Sequence, residues 1–127
     1  MSYTLNERVE GEFDDVVAET VDALEAEGFG VLCDVDVRET LTEKLGEEFR
    51  NYRILGACNP GLAHEGLEAE IELGALLPCN VVVYEDDGDV VVSAVDPVQL
   101  LDVVDDPAVD PIGEDARERF ERALAGL

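Results

Sequence analysis

The residues whose types could do chemistry cluster around one short segment, Cys58-Asn59-Pro60-Gly61. Cys58 follows a predicted strand over residues 52–57 and precedes a predicted helix over residues 62–71. A helix N-terminus carries partial positive charge and free backbone amides, which stabilise a thiolate. Cys58 is therefore the candidate nucleophile if the protein is catalytic, and Cys58 with Asn59 is the candidate ligand-binding pair. The alternative is a plain turn, in which Asn59 caps the helix, Pro60 presets φ and the thiol only packs.

Two further candidate ligand-binding residues, Cys79 and Glu85, flank the predicted buried strand over residues 79–84. A ferredoxin-like arrangement makes this strand parallel to the strand before Cys58, because a helix crosses between them. Cys58 and Glu85 then share one sheet edge, and Cys79 lies roughly 20 Å away at the other. A disulfide needs Cα atoms within about 7 Å, so parallel strands forbid a Cys58–Cys79 pair. Antiparallel strands would reverse that conclusion.

The remaining candidates are weaker. Cys33 lies within a valine-rich predicted strand over residues 29–37, which is typical of a small buried hydrophobic residue. His64, the only histidine, is expected at the surface of its helix. The acidic segment 102–110 is expected to be a solvated surface, because its spacing does not fit a calcium loop. The sequence has no paired CxxC, phosphate loop, GxSxG or HExxH motif, so any metal or cofactor stays unknown.

Composition restricts the classes of partner and the environment. The 127 residues include 32 acidic and 8 basic ones, for a net charge of −24. Nucleic acid and anionic membranes need clustered cations, so neither is an expected partner. The excess of acid, with Lys44 as the only lysine, indicates a salt-rich cytoplasm such as that of a halophilic archaeon. Three cysteines and no visible secretory signal favour a reducing cytoplasm.

The elements that must position these residues predict an α+β fold. Strand and helix periodicities alternate in the ferredoxin-like βαββαβ order, followed by an extra strand and C-terminal helices. We expect one domain over residues 1–127, with a mostly antiparallel sheet and helices packed on one face. The bare sheet face then needs either the terminal helix or a second subunit as a cover. We expect a homodimer, since two-fold dimers are the commonest oligomers.

Three segments resemble the family called domain of unknown function 302: Gly28-Phe29, the run Leu55-Gly56-Ala57-Cys58-Asn59-Pro60, and the run Leu76-Leu77-Pro78-Cys79-Asn80-Val81-Val82-Val83-Tyr84-Glu85. The resemblance covers roughly residues 3–100 and leaves a helical extension over 112–127. It implies a small prokaryotic α+β domain without an established activity. The positions that match the recurrent ones of the family are Cys58, Asn59, Pro60, Pro78, Cys79 and Glu85. Cys33 and His64 fall outside that pattern.

Three functional hypotheses follow from the residues. The first is a module that binds a small ligand or a metal ion near Cys58 and Glu85. The second is a thiol-based redox or sulfur-handling enzyme that uses Cys58. The third is a structural homodimer in which the cysteines only pack.

Overall fold

A computed structural model describes residues 2–127. Five strands and five helices follow one another along the chain, with two short 3₁₀ segments at Ile71–Leu76 and Pro107–Val109. The strands are β1 (Thr4–Val9), β2 (Gly30–Asp36), β3 (Tyr52–Cys58), β4 (Cys79–Asp86) and β5 (Asp89–Val95). The helices are α1 (Phe13–Ala26), α2 (Val37–Leu45), α3 (Pro60–Ala69), α4 (Pro97–Asp102) and α5 (Asp110–Ala125). The predicted order of elements and the α+β class are confirmed.

All five strands form one antiparallel sheet in the order β1-β5-β4-β3-β2. The hairpin between β4 and β5 turns at Asp87 and Gly88, both of which have positive φ (49° and 86°). The predicted Asp-Gly turn is therefore present. The first strand, β1, pairs with the last strand, β5, and forms one edge of the sheet, and β2 forms the other edge.

The ferredoxin-like prediction that β3 and β4 run parallel is wrong, because the two strands are antiparallel, with Ala57 opposite Cys79. The segment between them leaves and returns to the same edge of the sheet. Ten residues of α3 advance the chain by about 15 Å, and six 3₁₀ residues bring it back by about 12 Å. Gly66 allows this reversal, because a side chain there would collide with Leu73 of the 3₁₀ segment.

The main core lies between the sheet and the helices on one of its faces. Valines of β4 and β5 meet the apolar stripes of α1 and α5, and Phe120 of α5 stacks on Phe29 with ring centroids 4.4 Å apart. The terminal helix therefore belongs to the helix layer and leaves the opposite sheet face uncovered. A smaller second cluster joins the 3₁₀ segments to α4 and α5 through Leu73, Leu101, Val109 and Ile112.

Strand β2 departs from the predicted alternation. The register shifts between Val31 and Cys33, so Leu32 is an extra residue in this edge strand. Such a bulge moves the following residues to the other side of the sheet. Cys33 consequently lies on the uncovered face opposite Gly56 and is exposed, and the expectation that it is buried is wrong. No helix within residues 2–127 has the length and apolarity to cross a bilayer.

Candidate functional site

Antiparallel pairing brings Cys58 and Cys79 to the same edge of the sheet. Cys79 is the first residue of β4 and is opposite Ala57, and Cys58 is the next residue of β3. Both cysteines are free and half-buried. Parallel strands would have separated Cys58 from Cys79 by the length of a strand. The antiparallel pairing places them at the same end of β3 and β4.

The two cysteines border a narrow apolar pocket between the main core and the second cluster. Phe29, at the pocket wall, belongs to the main core, and Leu73 and Ile112 belong to the second cluster. The residues that line the pocket are Phe29, Cys58, Asn59, Leu62, Ala63, Leu73, Leu77, Cys79, Pro97, Leu101, Ile112 and Ala116. The pocket measures about 40 Å³. One water needs roughly 10–15 Å³, so the pocket holds a group of a few heavy atoms.

Asn59 has the predicted capping role at the start of α3. Its side-chain oxygen accepts a hydrogen bond from the backbone N–H of Leu62 at 3.1 Å, and its backbone carbonyl accepts one from Ala63. Pro60 occupies the first turn, where a missing N–H costs nothing. The predicted Asn59 cap is thus present. Since the capping interactions occupy two of the helix's first amides, fewer remain for a thiolate or another anion.

The amide nitrogen of Asn59 faces the loop before β2. A Cβ at Gly28 would lie 3.0 Å from this nitrogen and 3.2 Å from a guanidinium nitrogen of Arg119. Gly28 also has a φ of +86°, which favours glycine. Arg119 itself donates to the carbonyl of Glu27 at 2.7 Å. Gly28 therefore lets the loop before Phe29 pack closely against the start of α3, which closes one side of the pocket.

Burial raises the pKa of the Cys79 thiol to about 11, and the neighbouring Cys58 adds to the effect. Apolar surroundings disfavour the charged thiolate, so Cys79 is protonated at neutral pH. A protonated thiol is a poor nucleophile and a poor metal ligand. Cys79 therefore acts at neutral pH as an apolar wall of the pocket.

Glu85 does not join this site, and the expectation that it converges with Cys58 is wrong. Glu85 pairs with Val90 at the opposite end of β4 from Cys79, where its backbone N–H donates a hydrogen bond to the carbonyl of Asn51. Its carboxylate accepts a hydrogen bond from the Asn51 amide at 2.7 Å. The length of β3 lies between the two positions, roughly 20 Å at 3.3 Å per residue. The antiparallel strands that unite Cys58 with Cys79 necessarily separate Cys58 from Glu85.

His64 lies outside the pocket, as expected. Its side chain is 77% exposed and contacts Glu68 one turn along α3 at 3.3 Å. Within residues 2–127, no group of three or more His, Cys, Asp or Glu side chains is arranged to hold a metal ion. The described residues therefore offer an apolar pocket with thiols and an amide, and no ready-made cation site.

Sequence reasoning missed most of the pocket wall. Phe29, Leu77 and Ala116 carry no chemical signature and read as ordinary core residues. A signal existed for two of them, since Phe29 and Leu77 belong to the segments that carry the family resemblance. All three of those segments, far apart in the chain, contribute to this one pocket.

Comparison with known proteins agrees with the fold. The chain resembles the crystal structure of an uncharacterized conserved DUF302 protein from Bacillus stearothermophilus, with 31% sequence identity, a TM-score of 0.92, and coverage of 98% of each chain. No curated protein is significantly similar in sequence. The family model described as domain of unknown function DUF302 matches residues 5–127, including the C-terminal helix. The chain therefore belongs to the DUF302 family.

Proposed function

We propose that this protein binds a small apolar molecule, or the apolar end of a longer one, in the pocket beside Cys58. The observation that carries the proposal is the lining: twelve residues from the ends of β3 and β4, the loop before β2, the first 3₁₀ segment and three helices surround a gap that is apolar except for Asn59 and the two thiols. Ligand pockets are usually concave and apolar with a few polar groups that fix orientation. A gap of this size accepts a short alkyl or thioether-sized group.

Entry to the pocket is supported by the difference in burial around it. Phe29 and Leu73 are buried, whereas Cys58, Asn59 and Ala63 are half-buried. An apolar guest would thus enter past the start of α3 and rest against the Phe29 ring. Once inside, it would lie beside a thiol and an amide that can contact a polar atom at its outer end.

Xenon is a suitable probe, because it binds small apolar cavities without needing polar contacts. We expect xenon to shift the amide NMR signals of Cys58, Ala63 and Leu77, and we expect Ala63→Leu to abolish those shifts. Ala69→Leu is the matched control, since Ala69 is an exposed residue of the same helix. Shifts that are absent in the wild type, or equal in both variants, would refute a guest-accepting pocket. Native mass spectrometry of freshly purified protein then tests for a co-purified ligand that Ala63→Leu loses.

A thiol redox function is the second candidate. It is favoured because Cys58 and Cys79 lie at the same end of the neighbouring strands β3 and β4. In the exchange, the Cys58 thiolate attacks a small-molecule disulfide and releases one thiol, and Cys79 displaces the second thiol to leave a Cys58–Cys79 disulfide. The high pKa of Cys79 makes the second step slow at neutral pH. A Cys33→Ser variant treated with a low-molecular-weight disulfide should lose two hydrogens in mass. A stable mixed disulfide at Cys58 would contradict this function.

The proposed setting is a reducing, salt-rich cytoplasm, as in a halophilic archaeon. It is supported by the net charge of −24 and by three free cysteines. Mutual repulsion among the carboxylates opposes folding at low salt and is screened within about 3 Å at 1 M salt. The free energy of unfolding in urea should therefore rise between about 0.2 M and about 3 M KCl. A value that falls or stays constant would argue for an ordinary cytoplasm.

A further inference from the structure

The uncovered face of the sheet differs from the rest of the molecular surface in its composition. Nearly a third of the chain is charged (31%), yet a shallow concavity of about 430 Å³ on this face is lined by nine residues without a formal charge. These residues are Tyr3, Thr4, Asn6, Tyr52, Asn80, Val82, Tyr84, Ser93 and Val95. In a molecule with 32 acidic residues, such a patch is a local exception.

Aromatic side chains concentrate on the same face. All three tyrosines of the chain line the concavity. The rings of Tyr52 and Tyr84 stack with centroids 5.5 Å apart, and Phe49 extends the row at 6.0 Å from Tyr52. Tyr3 is 74% exposed and Phe49 is 41% exposed. Tyrosine enrichment combined with depletion of charge distinguishes the cores of protein interfaces from ordinary surface.

We propose that this face is the interface of a homodimer, in which the open faces of two copies pack against each other and the association strengthens with salt. This inference is independent of the pocket function. It goes beyond the expectation of a dimer by naming the face, the residues and the dependence on ionic strength.

The polar groups of the face favour a second copy over a different partner. Tyrosine, threonine and serine hydroxyls and asparagine amides each offer both a donor and an acceptor. Two copies of the face can therefore form hydrogen bonds with each other across a two-fold axis. A basic partner would be attracted by carboxylates, and the nine lining residues contain none. Self-association places neutral surface on neutral surface and leaves the carboxylates of both copies in solvent.

The available area suits a reversible dimer. The four strands that line the concavity, spaced by about 4.8 Å and about six residues long, give a planar footprint of roughly 380 Å², to which projecting side chains such as Tyr3 add. Specific dimers bury about 800 Å² per partner, and weaker ones bury less. Phe49, which is 41% exposed and lies beside Tyr52, extends this contact.

Salt dependence follows from the charge. Each copy carries −24, so association at low ionic strength must overcome repulsion between two strongly acidic molecules. The Debye length shortens from about 10 Å at 0.1 M to about 3 Å at 1 M, which removes most of that repulsion. We expect the dimer dissociation constant to fall at least tenfold between about 0.2 M and about 3 M KCl.

Sedimentation velocity of the full chain in KCl tests the proposal. We expect twice the 13.8 kDa mass at high salt, and we expect Val82→Asp to weaken the dimer roughly 100-fold by placing a carboxylate between Ile54 and Ser93 at the centre of the face. Asn80→Glu is a second variant, which folds safely because Asn80 is exposed. Ile71→Asp is the control, because Ile71 is 81% exposed and lies outside the face.

Circular dichroism confirms that each variant is folded before its mass is compared. Dissociation by Val82→Asp and Asn80→Glu, with an unchanged Ile71→Asp dimer, supports the proposal. A wild-type monomer at every salt concentration would overturn it and would point to a different protein as the occupant of this face. A dimer that survives both face variants would also overturn it.

Discussion

The two sides of the sheet carry two uncharged regions that differ in shape and in polar content. The Cys58 pocket lies on the helix side, measures about 40 Å³ and is lined mostly by aliphatic side chains. The concavity on the open face measures about 430 Å³ and is lined by hydroxyls, amides and aromatic rings. A narrow apolar gap suits a guest of a few atoms, whereas a broad amphipathic surface suits another protein surface. The two proposals therefore assign two kinds of recognition to the same sheet.

The two ends of the sheet differ as well. The end of the sheet at Cys58 and Cys79 is apolar, whereas the opposite end carries half-exposed ion pairs, with Asp86 contacting Arg8 at 2.8 Å and Arg50 at 3.4 Å. The Arg8 guanidinium, aided by Arg50, lowers the pKa of the Asp86 carboxyl. Glu85 belongs to this polar end through Asn51. The hydrogen bonds of Glu85 therefore connect β4 to the residue before β3 and do not point to a ligand site.

The largest expected effect is that of Phe29→Ala on the pocket side. Phe29 is buried, stacks on Phe120 and forms a pocket wall, so the variant should lose about 3–5 kcal/mol of unfolding free energy. Urea unfolding at low salt, where we expect monomers, measures this loss. Tyr84→Ala on the open face should cost about 1 kcal/mol there and act mainly on association at high salt. If Phe29→Ala and Tyr84→Ala lower the free energy of unfolding equally, or weaken association equally, the distinction between the two regions fails.

The next effect is the alkaline sensitivity of the pocket. Because burial raises the pKa of Cys79 to about 11, its stabilising contribution is complete below the unfolded thiol value near 9 and disappears as the pH rises towards 11. Two pKa units correspond to roughly 3 kcal/mol. Urea unfolding at pH 8 and pH 11 should show a smaller loss in Cys79→Ala than in the wild type.

Cys33→Ala is the matched control for this measurement, because Cys33 is an exposed thiol on the other face. It should retain the full alkaline loss. Burial, with smaller contributions from Tyr84 and Tyr3, also raises the pKa of Tyr52, so a decline above pH 10 persists in both variants. Identical pH profiles for Cys79→Ala and the wild type would contradict the buried state of Cys79.

The smallest effect concerns the entrance of the pocket. Asn59→Ala removes the cap of α3 and should cost about 1 kcal/mol. Asn59→Asp keeps the accepting oxygen and should remain near the wild-type stability, while it removes the amide donor beside Gly28. Thermal unfolding compares the two variants. Equal destabilisation by both would show that the amide nitrogen, and not the cap, matters for stability.

Local features were predictable where local chemistry decides them. Asn59-Pro60 at a helix start, the Asp87-Gly88 hairpin and the helical stripe of α1 all follow from neighbours in the chain, and the structure confirms each of them. The exposure of Cys33 was not predictable, because one extra residue at Leu32 reverses the side of every later residue in an edge strand. Periodicity alone carries no sign of that bulge.

The sequence alone determined the acidic character, the α+β class, the family and the order of elements, because these depend on composition, periodicity and short motifs. Only the tertiary structure decided which residues meet. Whether β3 and β4 are parallel depends on how the segment between them folds back, and the close approach of Leu73 to Gly66 is part of that fold. The antiparallel direction of β3 and β4 brought Cys58 close to Cys79 and placed Glu85 at the other end of these strands. The sequence could not show this direction, because it is set by packing between residues that are distant along the chain.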